Sequence, residues 1–301
     1  MNRYKERVNR RLRDNPEVRR LTGEELEAIH SRCLQMMKEI CECCRENGIT
    51  AGLAYGSALG AVRHQGFIPW DDDMDLYITR QGFEKLKKIF RDRFGDRYML
   101  HAPNYLSGNK ARVGRIEDPG ARIEDYTGCV HGVQIDVFVL ENIPDNPLLY
   151  YLHGFRSLLY TAAAGLVIDY EYAREDRKAH GGRGRKPVSA EQRLRRFIGW
   201  CLSFHSAKKW LNRLDKVNRY ASEKTRRVGI PTGRDHYFGE IWQREDMTRT
   251  EPMLFEGHEF PVPAGYDRYL RGLYGDYTVI PPEEEREYHY IRSINFEERQ
   301  P

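Results

Sequence analysis

The 301-residue sequence has no run of roughly 18 apolar residues, so no membrane span is evident. It opens MNRYKERVNRRLRDNPEVRR, which is basic but lacks the apolar core of a secretory signal. Cysteine is scarce: of six residues, four fall between Cys33 and Cys44, and Cys129 and Cys201 stand alone. That spacing is no disulfide framework and predicts a reducing, cytoplasmic setting. No internal repeat is visible. Charge of one sign is lacking as well. Forty-nine Lys and Arg against 45 Asp and Glu leave +4, too mild to argue for nucleic acid, and no nucleic-acid partner is expected. What is abundant is aromatic: 12% of the chain, with 19 Tyr, which argues against disorder. The length suits one large domain or two smaller ones, with a core that needs no metal or disulfide staple.

Residues 1–20 read as frayed or loosely helical. Thr22 and Glu25 form a capping box, and Leu26, Ile29, Cys33, Met36, Met37, Ile40 and Cys44 then recur at helical spacing up to Gly48, a C′ residue. ITAGLAY (49–55) predicts a short buried strand. SALGAVRH then reads as a short helix with Ser57 near its N-cap, and DDDMDLYI ends as a strand. Phe83, Leu86, Ile89 and Phe90 mark a surface helix over 81–94. Residues 110–128 look irregular with strand pieces, and VQIDVFVL (133–140) is the most apolar strand. After Pro144 the texture changes. Residues 147–173 are apolar enough for a buried or interfacial helix, and 188–220 return to helical spacing. Between them, 174–196 hold nine Arg or Lys against three acids. The division expected is a core over 1–146, a helical insertion with a basic loop over 147–234, and a Tyr/Pro/Gly-rich part over 235–301.

The chemistry concentrates in AYGSALGAVRHQGFIPWDDDMDLYI (54–78). The Gly56-Ser57 turn opens a helix, whose free N–H groups suit an anion. Asp73 and Asp75 lie two apart at the start of a strand and so share a face, and Asp71 joins them if the strand begins earlier. Like charges this close repel by about 1 kcal/mol per pair even in water. A divalent cation relieves that repulsion, and oxygen ligands select Mg²⁺, Mn²⁺ or Ca²⁺. A solvated acidic turn is the bland alternative. An EF-hand beginning at Asp71 fails, because Leu76 stands where Gly is needed and Gly82 where Glu is needed. Asp136, a lone carboxylate inside VQIDVFVL, needs a partner. That partner is either the metal site of Asp73 and Asp75 or an Arg.

The string GSALGAVRHQGFIPWDDDMD resembles the signature of the LicD family of phosphotransferases, which includes the fukutin-type enzymes. HGVQIDVFVL and FPVPAGYDRYLRGLYGDYTVIPP resemble two further family blocks, whereas 147–230 matches none. The resemblance implies a nucleotidyltransferase-like α/β (α+β) fold, a mixed sheet flanked by helices, here with a helical insertion. It implies two Mg²⁺ or Mn²⁺ ions held by the catalytic Asp73, Asp75 and Asp136. It further implies transfer of a substituted phosphate, such as phosphocholine or a polyol phosphate, from a CDP-linked donor to a cell-surface glycan or its lipid-linked precursor. Gly56, Ser57, Arg63 and Arg115 are the expected donor-phosphate binders, with Arg63 alternatively pairing with the acids, and Asp136 the expected base. Two departures stand out. Phe138-Val139-Leu140 replaces the family's Phe-Pro-Leu, and Glu117 stands where an Arg is usual, which leaves the donor head group open.

Two other functions fit parts of the sequence: a nucleotidyltransferase moving a nucleoside monophosphate to a small molecule or RNA, and a non-catalytic glycan-binding module. Cys33, Cys41 and Cys44 share a helix face, with Cys43 pointing elsewhere, and read as core rather than a zinc set. His131 is either a structural or a substrate-touching histidine. Tyr266, Tyr269, Tyr274 and Tyr277 are core or a sugar-stacking face. The basic 174–196 segment is a solvated loop or a peripheral contact for an anionic membrane or phosphate-rich glycan.

Overall fold

In a computed structural model the described residues are 12, 15–105, 112–180, 189–220 and 225–296, with side chains left aside for 176–180. The elements in chain order are α1 (Gly23–Glu46), β1 (Ala51–Leu53), α2 (Tyr55–His64), β2 (Met74–Thr79), α3 (Arg80–Phe94), β3 (Met99–His101), β4 (Gly114–Asp125) and β5 (Val130–Ile143). There follow α4 (Pro147–His180), α5 (Ala190–Leu202), α6 (Ala207–Asn218), β6 (Arg227–Gly229), α7 (His236–Gly239), β7 (Ile241–Gln243) and α8 (Arg244–Thr248). The chain ends with β8 (Thr250–Phe255), β9 (His258–Pro263), α9 (Tyr266–Tyr274) and β10 (Ile291–Phe296). Two compact units result: Met1–Leu100 with Gly114–Leu140 and Trp242–Pro301, and His101–Val113 with Glu141–Ile241.

The first unit is built on a mixed sheet. Its strand order is β1-β2-β5-β4-β10, with β2 parallel to β5 and the other neighbours antiparallel. Period-two alternation sends Met74, Leu76, Ile78, Ile135 and Val137 into the core and leaves Asp75 and Asp136 on the opposite face. Helix α1 starts as expected. Thr22 Oγ1 accepts from the Glu25 N–H, and Glu25 returns a bond to the Thr22 N–H. It ends before Gly48, whose φ of +60° is the left-handed conformation that a C′ glycine supplies. Its apolar stripe is buried, and Cys43 belongs to it, contrary to the expectation that this residue points away; Cys41 is the half-exposed one. The reason is helical spacing: Cys43 lies three residues after Ile40 and seven after Met36, on the same stripe, whereas Cys41 falls at its edge. Burial lifts the Cys44 thiol to about 12 and that of Cys33 well above its usual range, so neither is disposed to act as a thiolate.

Two further expectations are revised. Residues 114–125 form one strand rather than irregular pieces. The pairing with β5 shifts between Asp118 and Ile123, a bulge that interrupts any alternation visible in the sequence. Buried Asp118 sits in that bulge, accepting from Gly120 N–H and pairing with Arg32 at 3.2 Å. Helix α2 begins at Tyr55, two residues earlier than the expected Ser57, with Ala54 as N-cap and no side-chain cap, so Ser57 lies inside its first turn. Of the four C-terminal tyrosines, Tyr269 and Tyr277 are core.

The second unit is mainly helical. Helices α5 and α6 both pack on α4. Its apolar core is made by Ala163, Ala164 and Val167 of α4 with Ala207, Trp210 and Leu211 of α6. Ser189 and Gln192 form a capping box that starts α5. The centre of the basic segment, including Arg183, Arg185 and Lys186, lies outside the described residues, as does most of the N-terminal stretch. Among the described residues, no helix is long and apolar enough to cross a membrane.

Candidate active site

Asp75 on β2 stands directly beside Asp136 on β5, and Asp136 stands beside Arg115 on β4. Three neighbouring strands therefore place acid, acid and base in one row. Residues in register on adjacent strands are about 5 Å apart and point to the same face. Arg115 Nε donates to Asp136 Oδ1 at 2.8 Å. The cation drawn to Asp136 is thus an arginine from the next strand, one of the two partners the sequence allowed. Asp73 precedes β2 by one residue, on the side of Asp75.

The start of α2 holds Asp75 in place. Gly56 N–H donates to Asp75 Oδ2 at 3.1 Å, and Ser57 Oγ accepts from the Asp75 N–H at 2.8 Å. The helix N-terminus and its partial positive charge are therefore spent on a carboxylate of the chain itself. Gly56 and Ser57, the expected donor-phosphate binders, thus also orient the acid. A Cβ at Gly56 would lie 2.6 Å from Asp71 Oδ2 and 3.5 Å from Asp75 Oδ2, so glycine is required for these carboxylates to close on the helix. The preceding Tyr55 has a φ of +37°, rare for a side chain of its size. Its N–H donates to Tyr269 Oη at 3.0 Å and its ring packs on Phe138, which hold the strained turn in place.

Arg63 is not brought to the acids. It lies at the other end of α2 from Gly56, where its guanidinium donates to the carbonyls of Tyr277 and Val279 at 3.0 and 3.3 Å. It ties α2 to the C-terminal segment rather than pairing with the acids, which was the alternative role expected of it. His131 lies five residues before Asp136 on β5, roughly 16 Å along the strand, and bonds the Gly132 carbonyl. Glu117 accepts from the Gly132 N–H at 2.6 Å.

The acids are half-buried, so their charges are poorly solvated but within reach of a small ion. Burial raises the Asp73 carboxyl well above its usual range, with Asp71 adding to the effect. Burial does the same to Asp75, helped by Asp73 and Asp136. Asp71 is lifted to about 6, again chiefly by burial. These shifts are the signature of uncompensated negative charge, and hard oxygen donors in this density suit Mg²⁺ or Mn²⁺.

Asp71, which the sequence allowed only if the strand began earlier, enters the site, and so do Asp72 and His289. Asp71 packs against Gly56, and His289 from the C-terminal segment bonds Asp72 through Nδ1. Asp72 and its neighbours push the His289 imidazole up to about 10. Asp71, Asp72 and His289 each offer a ligand atom within 4.8 Å of the others, the one such triplet among the described residues. Asp73, Asp75 and Asp136 are not gathered that tightly, since Asp136 turns to Arg115. The two-residue step back from Asp73 pointed to Asp71. Nothing local marks His289, which lies 217 positions from Asp72. Nearby, Arg286 stacks over Trp70 at 4.2 Å, which brings the C-terminal segment against the residue that precedes the acid motif.

Comparison with known proteins adds the following. Residues 48–123 match the family described as LicD/FKTN/FKRP, nucleotidyltransferase domain; Asp136 and His289 lie beyond the match. The lipopolysaccharide cholinephosphotransferase LicD of Haemophilus influenzae is 24% identical over 303 aligned positions, covering 91% of this chain and 98% of that protein. An uncharacterized protein of Rickettsia prowazekii is 44% identical over 55 residues, covering 18% of this chain and 21% of its own. One from Rickettsia typhi is 47% identical over 47 residues, 16% and 15% of the two chains.

Proposed function

We propose that this chain, a LicD-family protein by its nucleotidyltransferase domain over residues 48–123, is a metal-dependent phosphotransferase. It moves a substituted phosphate, phosphocholine or a polyol phosphate, from a CDP-linked donor to a cell-surface glycan or its lipid-linked precursor. The observation that carries the proposal is the row Asp75–Asp136–Arg115 across three strands, with Asp73 and Asp71 crowded at its end. The near full-length likeness to a lipopolysaccharide cholinephosphotransferase supports the transferase class and the glycan acceptor. A cytoplasmic location belongs to the same reading and rests on the cysteine usage.

Asp73, Asp75 and Asp136 are the residues that would hold Mg²⁺ or Mn²⁺, with Asp71 beside them. A bound divalent ion there supplies charge neutralisation for the donor's phosphate oxygens. The chain's own contribution is positioning. Gly56 N–H and Ser57 Oγ fix Asp75, so no reorganisation is needed when a donor arrives. Arg115 holds one oxygen of Asp136 and adds a cation beside the row, available to an anionic donor. The acceptor hydroxyl attacks the phosphorus that bears the head group, its proton passes to Asp136, and the bond to the nucleotide breaks with release of CMP.

The test incubates the full chain and Mg²⁺ with a glycan acceptor and a mixture of CDP-choline, CDP-glycerol and CDP-ribitol, then weighs the acceptor by mass spectrometry. A gain of a phosphorylated head group, with CMP released, is expected. A gain of a cytidine monophosphate unit would overturn the phosphotransferase reading in favour of a nucleotidyltransferase.

A further inference from the structure

Helix α4 is packed inside out for a water-soluble protein. Its inward face over the first five turns is small or hydroxylated: Gly154, Ser157, Thr161 and Ala164 are buried at spacings of three and four. Ser157 Oγ even donates to Asn218 Oδ1 at 2.7 Å there. The large apolar side chains take the outer face. Leu152, Phe155 and Leu159 recur at the same spacing and are 58%, 63% and 68% exposed. A surface helix in water shows the reverse order.

Helix α5 continues the pattern within the same unit. It lies close on α4, where a Cβ at Gly199 would meet the Leu166 carbonyl at 2.2 Å. Its Phe197 and Trp200 are more than half exposed, as is Phe204 just beyond its end. Phe204 and Tyr160 both pack on the Trp210 ring, which brings the end of α5 beside the α4 turn that carries Leu159. Single exposed apolar residues need no explanation, but a run of aromatic and leucine side chains over two adjoining helices does.

Charge decides between occupants. Residues 190–216 hold seven Lys or Arg against two acids, and none of these charges falls between Phe197 and Phe204. Arg193, Lys208 and Lys209 are exposed on either side of that apolar stretch. A second copy of the chain would bring like charges together around the patch. An anionic lipid surface takes both features at once, with apolar tips in the acyl boundary and basic residues at the head groups. Neither helix is able to cross a bilayer, so the contact is with one leaflet.

We propose that the outer face of α4 and α5, with the basic residues flanking it, docks this protein on an anionic bilayer. The inference is independent of the transferase reading, because binding is measured without turnover. The full chain is sedimented with vesicles of phosphatidylcholine alone and of phosphatidylcholine mixed with phosphatidylglycerol. Wild type should pellet with the anionic vesicles, and less so in about 1 M salt, where the Debye length falls to about 3 Å. The combined change Phe197→Ser, Trp200→Ser and Phe204→Ser should weaken partitioning by about tenfold or more. Changing Arg193, Lys208 and Lys209 to Ser should remove most of the salt dependence. A second variant, Leu152→Ser with Leu159→Ser, serves if the first does not fold by circular dichroism. The proposal is overturned if wild type does not bind anionic vesicles, or if the folded variant binds as well as wild type. It is overturned equally if wild type is a dimer in solution that the apolar substitutions turn into monomer, since the face is then an interface between copies.

Discussion

Gly56→Ala isolates the geometry of the acid site from the stability of the fold. The new methyl group would stand 2.6 Å from Asp71 Oδ2, closer than a Cβ approaches an oxygen without displacement, and 3.5 Å from Asp75 Oδ2. Either Asp71 swings away or the first turn of α2 shifts and stretches the 3.1 Å bond from Gly56 N–H to Asp75. Overpacking of this kind costs about 1–3 kcal/mol. Replacing Gly by Ala within a helix returns about 1 kcal/mol, so the net destabilisation is about 0–2 kcal/mol and the variant should stay folded. The loss falls on the site. A hydrogen bond to a charged group is worth about 1.5–3 kcal/mol, which corresponds to roughly tenfold to a hundredfold in ion affinity. Calorimetric titration of Mn²⁺ into the metal-free protein should show that loss, and CMP release should fall with it. Gly165→Ala is the matched control. It lies within α4 with nothing within 4 Å of a new Cβ, so it should gain about 1 kcal/mol and leave Mn²⁺ binding unchanged. Wild-type Mn²⁺ affinity in Gly56→Ala would refute the argument that this glycine exists for the carboxylates. An equal loss in both variants would refute it too.

Two further outcomes follow from the same site. Asp136→Asn should lower CMP release by about a hundredfold or more and change stability by no more than about 1 kcal/mol in a denaturant titration, because its partner Arg115 is 38% exposed; a strongly destabilised variant that keeps its activity would refute this. In chelator, the pH dependence should run opposite to that of an ordinary salt-bridged acid: Asp71 rises on folding from 3.8 to about 6, so the folded state holds more protons across that window and its contribution to stability falls as pH rises. The difference in Tm between wild type and Asp71→Asn should therefore become less favourable to wild type over that window, and an opposite slope would contradict the buried, repelling environment assigned to this acid.

The features legible in the sequence are those set by neighbours along the chain. Thr22 and Glu25 start α1 and Gly48 ends it, because capping bonds span three or four residues. Asp73 and Asp75 share a side because strands alternate with period two. Pairing between strands is a different matter. The sequence left Asp136 a choice between a metal and an arginine. The antiparallel register of β4 on β5, set in part by a bulge the sequence does not announce, brought Arg115 opposite it. Arg63 looked like a partner for the acids from its nearness to Gly56 in sequence. One end of a helix is remote from the other, and the carbonyls of Tyr277 and Val279 claimed it.

Some features belong to tertiary structure alone. His289 joins Asp72 because the C-terminal segment folds back over Trp70, a contact no local pattern encodes. Helical periodicity in 147–173 shows that α4 has a small face and a large apolar one, yet it cannot say which is turned inward. That choice is made by what packs against the helix. Asn218 and the core side chains of α6 accept the small, hydroxylated face, and the leucines and phenylalanine are left outside. The sequence by itself determined the elements and the acid motif, since both depend on spacing. The partners of each charged and apolar face were decided only when distant segments met.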